Sequence, residues 1–225
     1  MAAPYFDFPV DSVPVSAPRR IYVSYGKRAF DLLVLVLAAP AVLPLIALIV
    51  VVVSLTGSRP FYSQQRVGQG GKIFRCWKVR TMVRDADAAL LRILAENSEL
   101  AAEWAVNQKL SRDPRVTVIG RLLRKTSLDE LPQLWNVLRG EMSLVGPRPF
   151  TPDQRALYEA QPGASAGYEM LRPGITGLWQ VHCRNSGSFA ERAHFDLDYA
   201  RSLSFRGDLR IIFQTFLVVL RGTGL

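Results

Sequence analysis

An uncharged apolar segment near the N-terminus constrains this chain more than any other feature. Residues 32–58, LLVLVLAAPAVLPLIALIVVVVSLTGS, carry no charged side chain, and the segment is longer than the roughly 20 residues that cross a bilayer core. Its aliphatic residues cover every side of a helix, whereas a helix on a globular core is apolar along one stripe. It is also too long for the apolar part of a secretory signal peptide. The sequence therefore predicts a membrane-embedded segment.

Two prolines and the flanking charges predict how this segment lies in the membrane. Pro40 and Pro44 interrupt it, and proline kinks or breaks a helix because it removes a backbone hydrogen bond. Basic residues flank the segment on both sides, namely Arg19, Arg20, Lys27, Arg28, Arg59, Arg66, Lys72 and Arg75. Because basic flanks prefer the cytoplasmic side, a Pro-kinked re-entrant helix explains both flanks. A single crossing stays open as the alternative.

The overall charge indicates an anionic partner. The net charge is +9 and the pI is about 10, which suits nucleic acid, a phosphorylated substrate or acidic lipid. No nucleic-acid-binding motif accompanies the charge, and the apolar segment argues against such a partner, so we expect no nucleic acid. Two cysteines, Cys76 and Cys183, are too few for a disulfide framework and fit a reducing compartment.

The chain divides into three predicted parts. Residues 1–24 contain four prolines and are predicted to form a mobile tail. Residues 25–57 form the helix-break-helix in the membrane, and residues 58–225 form a cytosolic domain at its surface. In that domain, β-prone stretches on both sides of residues 68–71 predict a hairpin, and Ala- and Leu-rich stretches predict helices. We therefore expect a mainly α fold with a small β-hairpin, a monotopic membrane protein with interfacial helices.

Two adjacent acids, Asp129 and Glu130, stand in the basic stretch RKTSLDELPQLWNVLRGEMSLVGPRP, residues 124–149. Ser127 to Glu130 matches a capping box at the start of a helix predicted over 128–139. Capping leaves the nearby basic residues unused, whereas an anionic substrate would use them. A carboxylate among them would be ionised, with a depressed pKa, and could act as a nucleophile toward phosphorus. The neighbouring acid could bind Mg²⁺. Both interpretations stay open on the residues alone.

Five motifs in order along the chain carry a resemblance to a known family. They are KRAFD (27–31), QQRVGQGGKIFRCWKVRTM (64–82), SLDELPQLWNVLRGEMSLVGPRP (127–149), RPGITGLWQV (172–181) and FDLDY (195–199). Together they resemble the bacterial sugar transferases known as monotopic phosphoglycosyl transferases, which start polysaccharide assembly on a polyprenyl phosphate carrier. The short chain is similar to the initiating transferases of exopolysaccharide pathways.

The resemblance implies a reaction and a set of site residues. Asp129 would attack the sugar-bearing phosphate of a UDP-sugar, UMP would leave, and undecaprenyl phosphate would then take the galactose or glucose phosphate from Asp129. Glu130 would bind Mg²⁺. The other residues implied at the substrates are Lys78, Arg80, Arg124, Arg148, Arg172, Arg184 and Asp196. The enzyme would sit on the cytoplasmic face of the bacterial inner membrane, in contact with membrane lipids, and its apolar C-terminal segment is compatible with a homodimer.

A rival interpretation keeps the anchor and the charge without the chemistry. In it the chain is a non-catalytic, membrane-anchored adaptor that binds polyanions, and the acid pair only caps a helix. The substitution Asp129→Asn separates the two, because Asn caps a helix about as well as Asp but cannot act as a nucleophile.

Overall fold

The computed structural model describes residues 21–57, 59–161, 164–183 and 189–220. Most of the tail predicted for residues 1–24 lies outside this part of the chain. A π-helical turn, Tyr22–Gly26, leads into helix α1, Lys27–Leu55. This helix is long and apolar enough to cross a membrane. It runs through Pro40 and Pro44 without interruption, so the structure has one helix where the sequence predicts two separated by a break. The fixed φ of proline is itself helical, which lets a helix continue through it.

The remaining elements confirm a mainly helical chain with little sheet. They are β1 (Phe61–Val67), β2 (Ile73–Val79), α2 (Ala86–Glu96), α3 (Ser98–Asn107), α4 (Val118–Lys125), α5 (Gln133–Arg139), β3 (Ser143–Val145), α6 (Arg155–Glu159), α7 (Ala164–Glu169), β4 (Gly174–Thr176), α8 (Leu178–His182), α9 (Arg192–Ser202) and α10 (Phe205–Leu220).

The strands form two separate pairs. β1 and β2 pair antiparallel, from Phe61 opposite Val79 to Val67 opposite Ile73, which confirms the predicted hairpin. β3 and β4 pair in parallel, and no pattern in the sequence predicts them. Each has only three residues, too few for an alternating pattern to be visible.

The hydrophobic core brings distant parts of the chain together. Its largest cluster includes buried residues of β2, α5, β3, α9 and α10, among them Phe74, Val137, Val145, Tyr199 and Ile211. A second cluster is aromatic and packs around Phe150, between the hairpin and α9. These clusters hold the hairpin, α5 and the segment after β3 next to one another.

Polar contacts fasten the start of α1 to this core. Lys27 Nζ donates to Asp208 Oδ2 of α10 at 2.6 Å. Arg28 donates to the carbonyls of Val137 and Leu138 in the last turn of α5, where backbone acceptors lack helical partners. Asp31, fully buried, accepts from the Ser143 hydroxyl and the Leu144 N–H of β3. The first turn of the apolar helix is thus bonded to α5, β3 and α10.

The far end of α1 packs on the same body. Ile49 and Val53, both buried, form a third cluster with Val79 at the end of β2 and Leu123 of α4. Both ends of the apolar helix therefore contact elements of one globular unit.

Candidate active site

The two acids lie in a short 3-10 turn, Leu128–Glu130, between α4 and α5. Ser127, just before the turn, has a left-handed backbone (φ 57°), and its side chain makes no capping hydrogen bond. Helix α5 starts only after Pro132. The predicted capping box is therefore wrong, because a capping serine has an extended backbone and bonds to the N–H three residues on. Helix capping does not explain why the acids are here.

Glu130 is held by two cations. Lys78 Nζ, from β2, and Arg148 Nη2, from the segment after β3, each donate to its Oε1 at 2.8 Å. Only 15% of the Glu130 side chain is exposed. Burial alone would raise the pKa of Glu130, but the charges and hydrogen bonds of Arg148 and Lys78 outweigh burial and hold this pKa below its ordinary value. Glu130 is therefore ionised at neutral pH.

The pKa of Asp129 is shifted in the opposite direction to that of Glu130. Its residue surface is only 7% exposed. Burial raises the pKa of Asp129, and the neighbouring Glu130 raises it further, against the lowering effect of Lys78 and the two nearby arginines. The depressed pKa that the sequence analysis expects of the nucleophilic carboxylate is thus found at Glu130 and not at Asp129, because the cations bond to Glu130. Asp129 is the more basic of the two acids.

Arg124 of α4 is a third basic residue near the acid pair. It lies in the last turn of that helix, and its Nε donates to the Thr81 hydroxyl at 3.0 Å. Burial lowers the pKa of Arg124, and among its neighbours the Asp129 carboxylate opposes this most. The structure thus brings Lys78, Arg124 and Arg148 together around the acid pair.

The backbone around β3 and β4 fixes Arg148. Gly146 N–H donates to the Thr176 carbonyl, and Gly174 N–H donates to the Pro147 carbonyl, both at 2.8 Å. A Cβ on Gly174 would lie 2.1 Å from the Gly146 nitrogen, so only glycine allows the two segments to touch. Arg192, from α9, adds a hydrogen bond from its Nη2 to the Arg148 carbonyl at 2.7 Å.

Sequence reasoning missed Arg66, which lines a small polar cavity beside Glu130. The cavity is bounded by Arg66, Cys76, Lys78, Glu130, Gln133, Arg148 and Pro149. Arg66 donates to the Pro149 carbonyl at 3.0 Å, and burial lowers its pKa. A signal for it was present: once the hairpin register is known, Arg66 and Lys78 occupy the same face of the two strands.

Two predicted arginines turn to other partners. Arg80 donates from Nε to the Arg59 carbonyl at 3.1 Å and lies over the Tyr62 ring. It follows the last residue of β2, and its guanidinium lies at these two groups and not at the acid pair. Arg172 donates to the Gly140 carbonyl at 2.9 Å, beyond the end of α5. In this structure both guanidinium groups support the backbone.

Asp196 lies in the aromatic cluster behind Arg148. It is buried and accepts a hydrogen bond from the Tyr158 hydroxyl at 2.7 Å. Burial raises the pKa of Asp196 to about 6, against the lowering effect of Arg192 and of the tyrosine hydrogen bond. Its link to the site runs through Arg192, which bonds to the Arg148 backbone. The predicted site residue Arg184 lies outside the described residues.

The acid pair offers oxygen ligands that fit Mg²⁺. Within the described part of the chain, no group of three or more His, Cys, Asp or Glu side chains could hold a metal ion. Mg²⁺ needs fewer, because it commonly takes one or two carboxylates and completes its shell with water and substrate phosphates. Both bonds to Glu130 end on Oε1, which leaves Oε2 of this carboxylate as a ligand. The site fits an ion that is shared with a phosphorylated substrate.

Comparison with known proteins assigns the chain to a family. Residues 22–222 match the family described as bacterial sugar transferase, a range that includes α1, the acid pair and the cations around it. The chain belongs to the bacterial sugar transferase family. The resemblance seen in the sequence motifs is thereby confirmed.

Three relatives of this sugar transferase have informative names. The exopolysaccharide production protein ExoY of Sinorhizobium fredii is 45% identical over 200 residues, which make up 88% of this chain and 87% of that protein. The UDP-galactose-lipid carrier transferase of Erwinia amylovora is 45% identical, and the undecaprenyl-phosphate galactose phosphotransferase of Salmonella typhimurium is 43% identical, each over 198 residues. This chain spans 41% of the length of these last two proteins.

Proposed function

We propose that this sugar transferase moves a sugar-1-phosphate from a UDP-sugar to undecaprenyl phosphate and releases UMP, as the first membrane step of exopolysaccharide synthesis. The asymmetric acid pair carries the proposal: Glu130 is neutralised by Lys78 and Arg148, whereas the adjacent Asp129 has no such bonds to them and has a raised pKa. Neighbouring acids with opposite pKa shifts suit two different roles in one reaction. The names of the relatives support galactose phosphate, with glucose phosphate as the second candidate.

In the first step, a carboxylate oxygen of Asp129 attacks the phosphorus that bears the sugar. A P–O bond forms to Asp129, the bond from that phosphorus to the bridging oxygen breaks, and UMP leaves with this oxygen and its electron pair. Lys78, Arg124 and Arg148 offset the charge that develops on the phosphate oxygens. Glu130 would hold Mg²⁺, which would supply further neutralisation of this charge.

In the second step, a phosphate oxygen of undecaprenyl phosphate attacks the same phosphorus. The bond to Asp129 breaks, the carboxylate is restored, and undecaprenyl diphosphate-sugar is the product. The two substrates need not be bound together, because the covalent intermediate separates the two half-reactions.

A re-entrant, monotopic anchor is part of the proposal. The start of α1 bonds to α5 and β3, and its far end packs on Val79 and Leu123 of the same body. A straight crossing would carry that far end across a core of about 30 Å, away from the body on which it packs. The basic flanks favour the cytoplasmic side, so we assign the enzyme to the cytoplasmic face of the bacterial inner membrane.

The adaptor interpretation has lost its main support. It requires Ser127 and Glu130 to form a capping box, and Ser127 makes no capping bond. A pure polyanion-binding protein would also gain nothing from a buried carboxylate such as Asp129.

The test is UMP release by the detergent-purified protein with undecaprenyl phosphate and Mg²⁺. UDP-galactose, UDP-glucose and an N-acetylated UDP-sugar are offered separately, beside the Asp129→Asn variant. We expect release from one donor and loss of at least about 100-fold in the variant. The variant should melt no lower than the wild type, because it removes a buried carboxylate of raised pKa. Equal release by the variant, or no release from any donor by folded protein, would contradict the proposal.

A further inference from the structure

An apolar cavity of about 350 Å³ lies between the membrane helix and the catalytic body. α1 contributes Leu35, Ala39 and Ile46, the hairpin contributes Trp77, and α5 contributes Leu134 and Trp135. Every residue that lines the cavity is apolar. Trp135 is 53% exposed, so the cavity opens to the surface. The reaction steps above leave this cavity without a role.

The cavity adjoins the site through the segment that follows the acid pair. Leu131 and Pro132 line it and directly follow Glu130, whose carboxylate accepts a hydrogen bond from Lys78. Trp77 lines the cavity from β2, on the face of the hairpin opposite to Lys78. Consecutive residues are about 3.8 Å apart along the backbone. An apolar cavity that begins one residue from the Glu130–Lys78 ion pair suits an amphiphile with an anionic head and a chain that starts at the head.

We infer that this cavity binds the isoprene units nearest the phosphate of the polyprenyl phosphate acceptor, with the phosphate at Lys78 and the acid pair. The inference rests on the proposed function. A cavity of this volume holds a ligand of drug-like size, and so takes the first few units while the rest of the chain stays in the bilayer. The prenyl chain joins its phosphate directly, whereas the chains of a phospholipid are separated from theirs by glycerol esters. Apart from the indole N–H groups of Trp77 and Trp135, the side chains of the lining offer such esters no hydrogen-bond donor.

Because the two half-reactions can be measured separately, the role of the cavity can be tested apart from the attack by Asp129. The variant Ala39→Leu adds bulk inside the cavity without touching Asp129 or its cations. The matched control is Ala47→Leu, since Ala47 lies on the exposed side of the same helix. We expect Ala39→Leu to release UMP in a single turnover at the wild-type rate without acceptor, and to raise the KM for undecaprenyl phosphate at least tenfold. The control should change neither quantity more than twofold.

Direct binding tests the occupant without relying on turnover. The probe is radiolabelled farnesyl phosphate, measured at equilibrium in detergent micelles. Ala39→Leu and Trp135→Ala should each weaken its binding about tenfold, while Ala47→Leu leaves it unchanged. Because half of the Trp135 surface is exposed, this second variant keeps the test valid if Ala39→Leu fails to fold. Dodecyl phosphate, a straight chain that loses more conformational entropy on binding, should bind several-fold more weakly, and phosphatidylglycerol should not displace the probe.

The outcomes distinguish the two proposals. UMP release by the wild type, combined with farnesyl phosphate binding that neither cavity variant weakens, would overturn the cavity inference and leave the proposed function standing. Equal binding of dodecyl phosphate, or displacement by phosphatidylglycerol, would overturn it in favour of a general lipid cavity. Binding that responds to the cavity variants, without UMP release from any donor, would support the cavity and contradict the proposed function.

Discussion

Asp129 and Glu130 are neighbours in one short turn, yet their carboxyl groups have opposite pKa shifts. Burial raises the pKa of both, and the difference comes from the close charges of Arg148 and Lys78 and from the hydrogen bonds that these two residues donate to Glu130. A carboxylate that is already bonded to two cations is a poor nucleophile, since its electron pairs are engaged. The division of roles between the acids thus follows from which of the two the cations reach.

The raised pKa of Asp129 predicts the pH dependence of the first half-reaction. Asp129 must be ionised to attack, so kcat/KM for UMP release without acceptor should rise with pH through the raised pKa of this group. The midpoint of the rise should lie above about 3.9, the ordinary value for aspartate. The measurement is the pH profile of kcat/KM between pH 4 and 9.

Asp196 provides the control for this profile. Its pKa is about 6, and it reaches Arg148 through Arg192, so its titration could imitate that of Asp129. The acidic limb should persist in Asp196→Asn if Asp129 causes it. A limb that disappears in Asp196→Asn, or a profile that is flat down to pH 4, would contradict the assignment.

Among the elements, the short pair of β3 and β4 positions the segment that carries Arg148. The two strands have three residues each, and the glycines beside them allow a backbone contact that turns the following segment, with Arg148, toward Glu130. Asn136 of α5 has a comparable role on the other side. Its side chain accepts from the Trp77 N–H and donates to the Arg75 carbonyl, which joins α5 to β2 beside Lys78.

The glycine contact predicts a specific sensitivity. Gly174→Ala would place a Cβ 2.1 Å from the Gly146 nitrogen, a backbone atom that cannot move aside cheaply, so we expect a loss of about 1–3 kcal/mol in unfolding free energy and slower UMP release. The matched control is Gly207→Ala in α10, where the nearest atom is the movable Ser204 hydroxyl oxygen. Thermal melting in micelles measures both, and equal effects of the two substitutions would contradict this account.

The sequence predicted the elements whose signals are local. The hairpin follows from two β-prone stretches around Gly68–Gly71, and the membrane helix follows from its composition. The β3–β4 pair could not be predicted, because its cause is a contact between Gly146 and Gly174. The prediction of a capping box at Ser127 is wrong because a local sequence motif does not reveal the left-handed backbone that Ser127 adopts before the turn. The cations near Glu130 are implied by the family resemblance together with the basic charge around the acids, whereas Arg66 requires the strand register.

At the scale of the whole molecule, the C-terminal helix α10 has two faces in different surroundings. Its buried face, with Asp208 and Ile211, packs on the body. Its opposite face exposes Phe205, Leu209, Phe213 and Phe216, which recur every three to four residues and form one stripe. The Phe205 ring contacts the rings of Tyr22 and Phe30 at the start of α1. The stripe is therefore continuous with the membrane helix and is suited to lie at the bilayer surface.

This arrangement predicts that α10 contributes to membrane binding. The double substitution Phe213→Ser/Phe216→Ser should weaken binding to vesicles that contain anionic lipid by about tenfold or more, because two aromatic side chains leave the interface. UMP release in detergent should be unchanged. The control is Leu91→Ser, an exposed leucine of α2. Vesicle co-sedimentation measures the difference, and equal sedimentation of all three proteins would contradict the role of α10.

The bond between Lys27 and Asp208 joins residues 181 positions apart, which has a consequence for biosynthesis. A ribosome produces Lys27 early and Asp208 near the end, at about 5–20 residues per second. The apolar helix therefore leaves the ribosome some ten seconds or more before the carboxylate that neutralises its lysine. During that interval the nascent anchor can engage the bilayer with its charge still hydrated. Completion of the chain then fastens a helix that the membrane already holds.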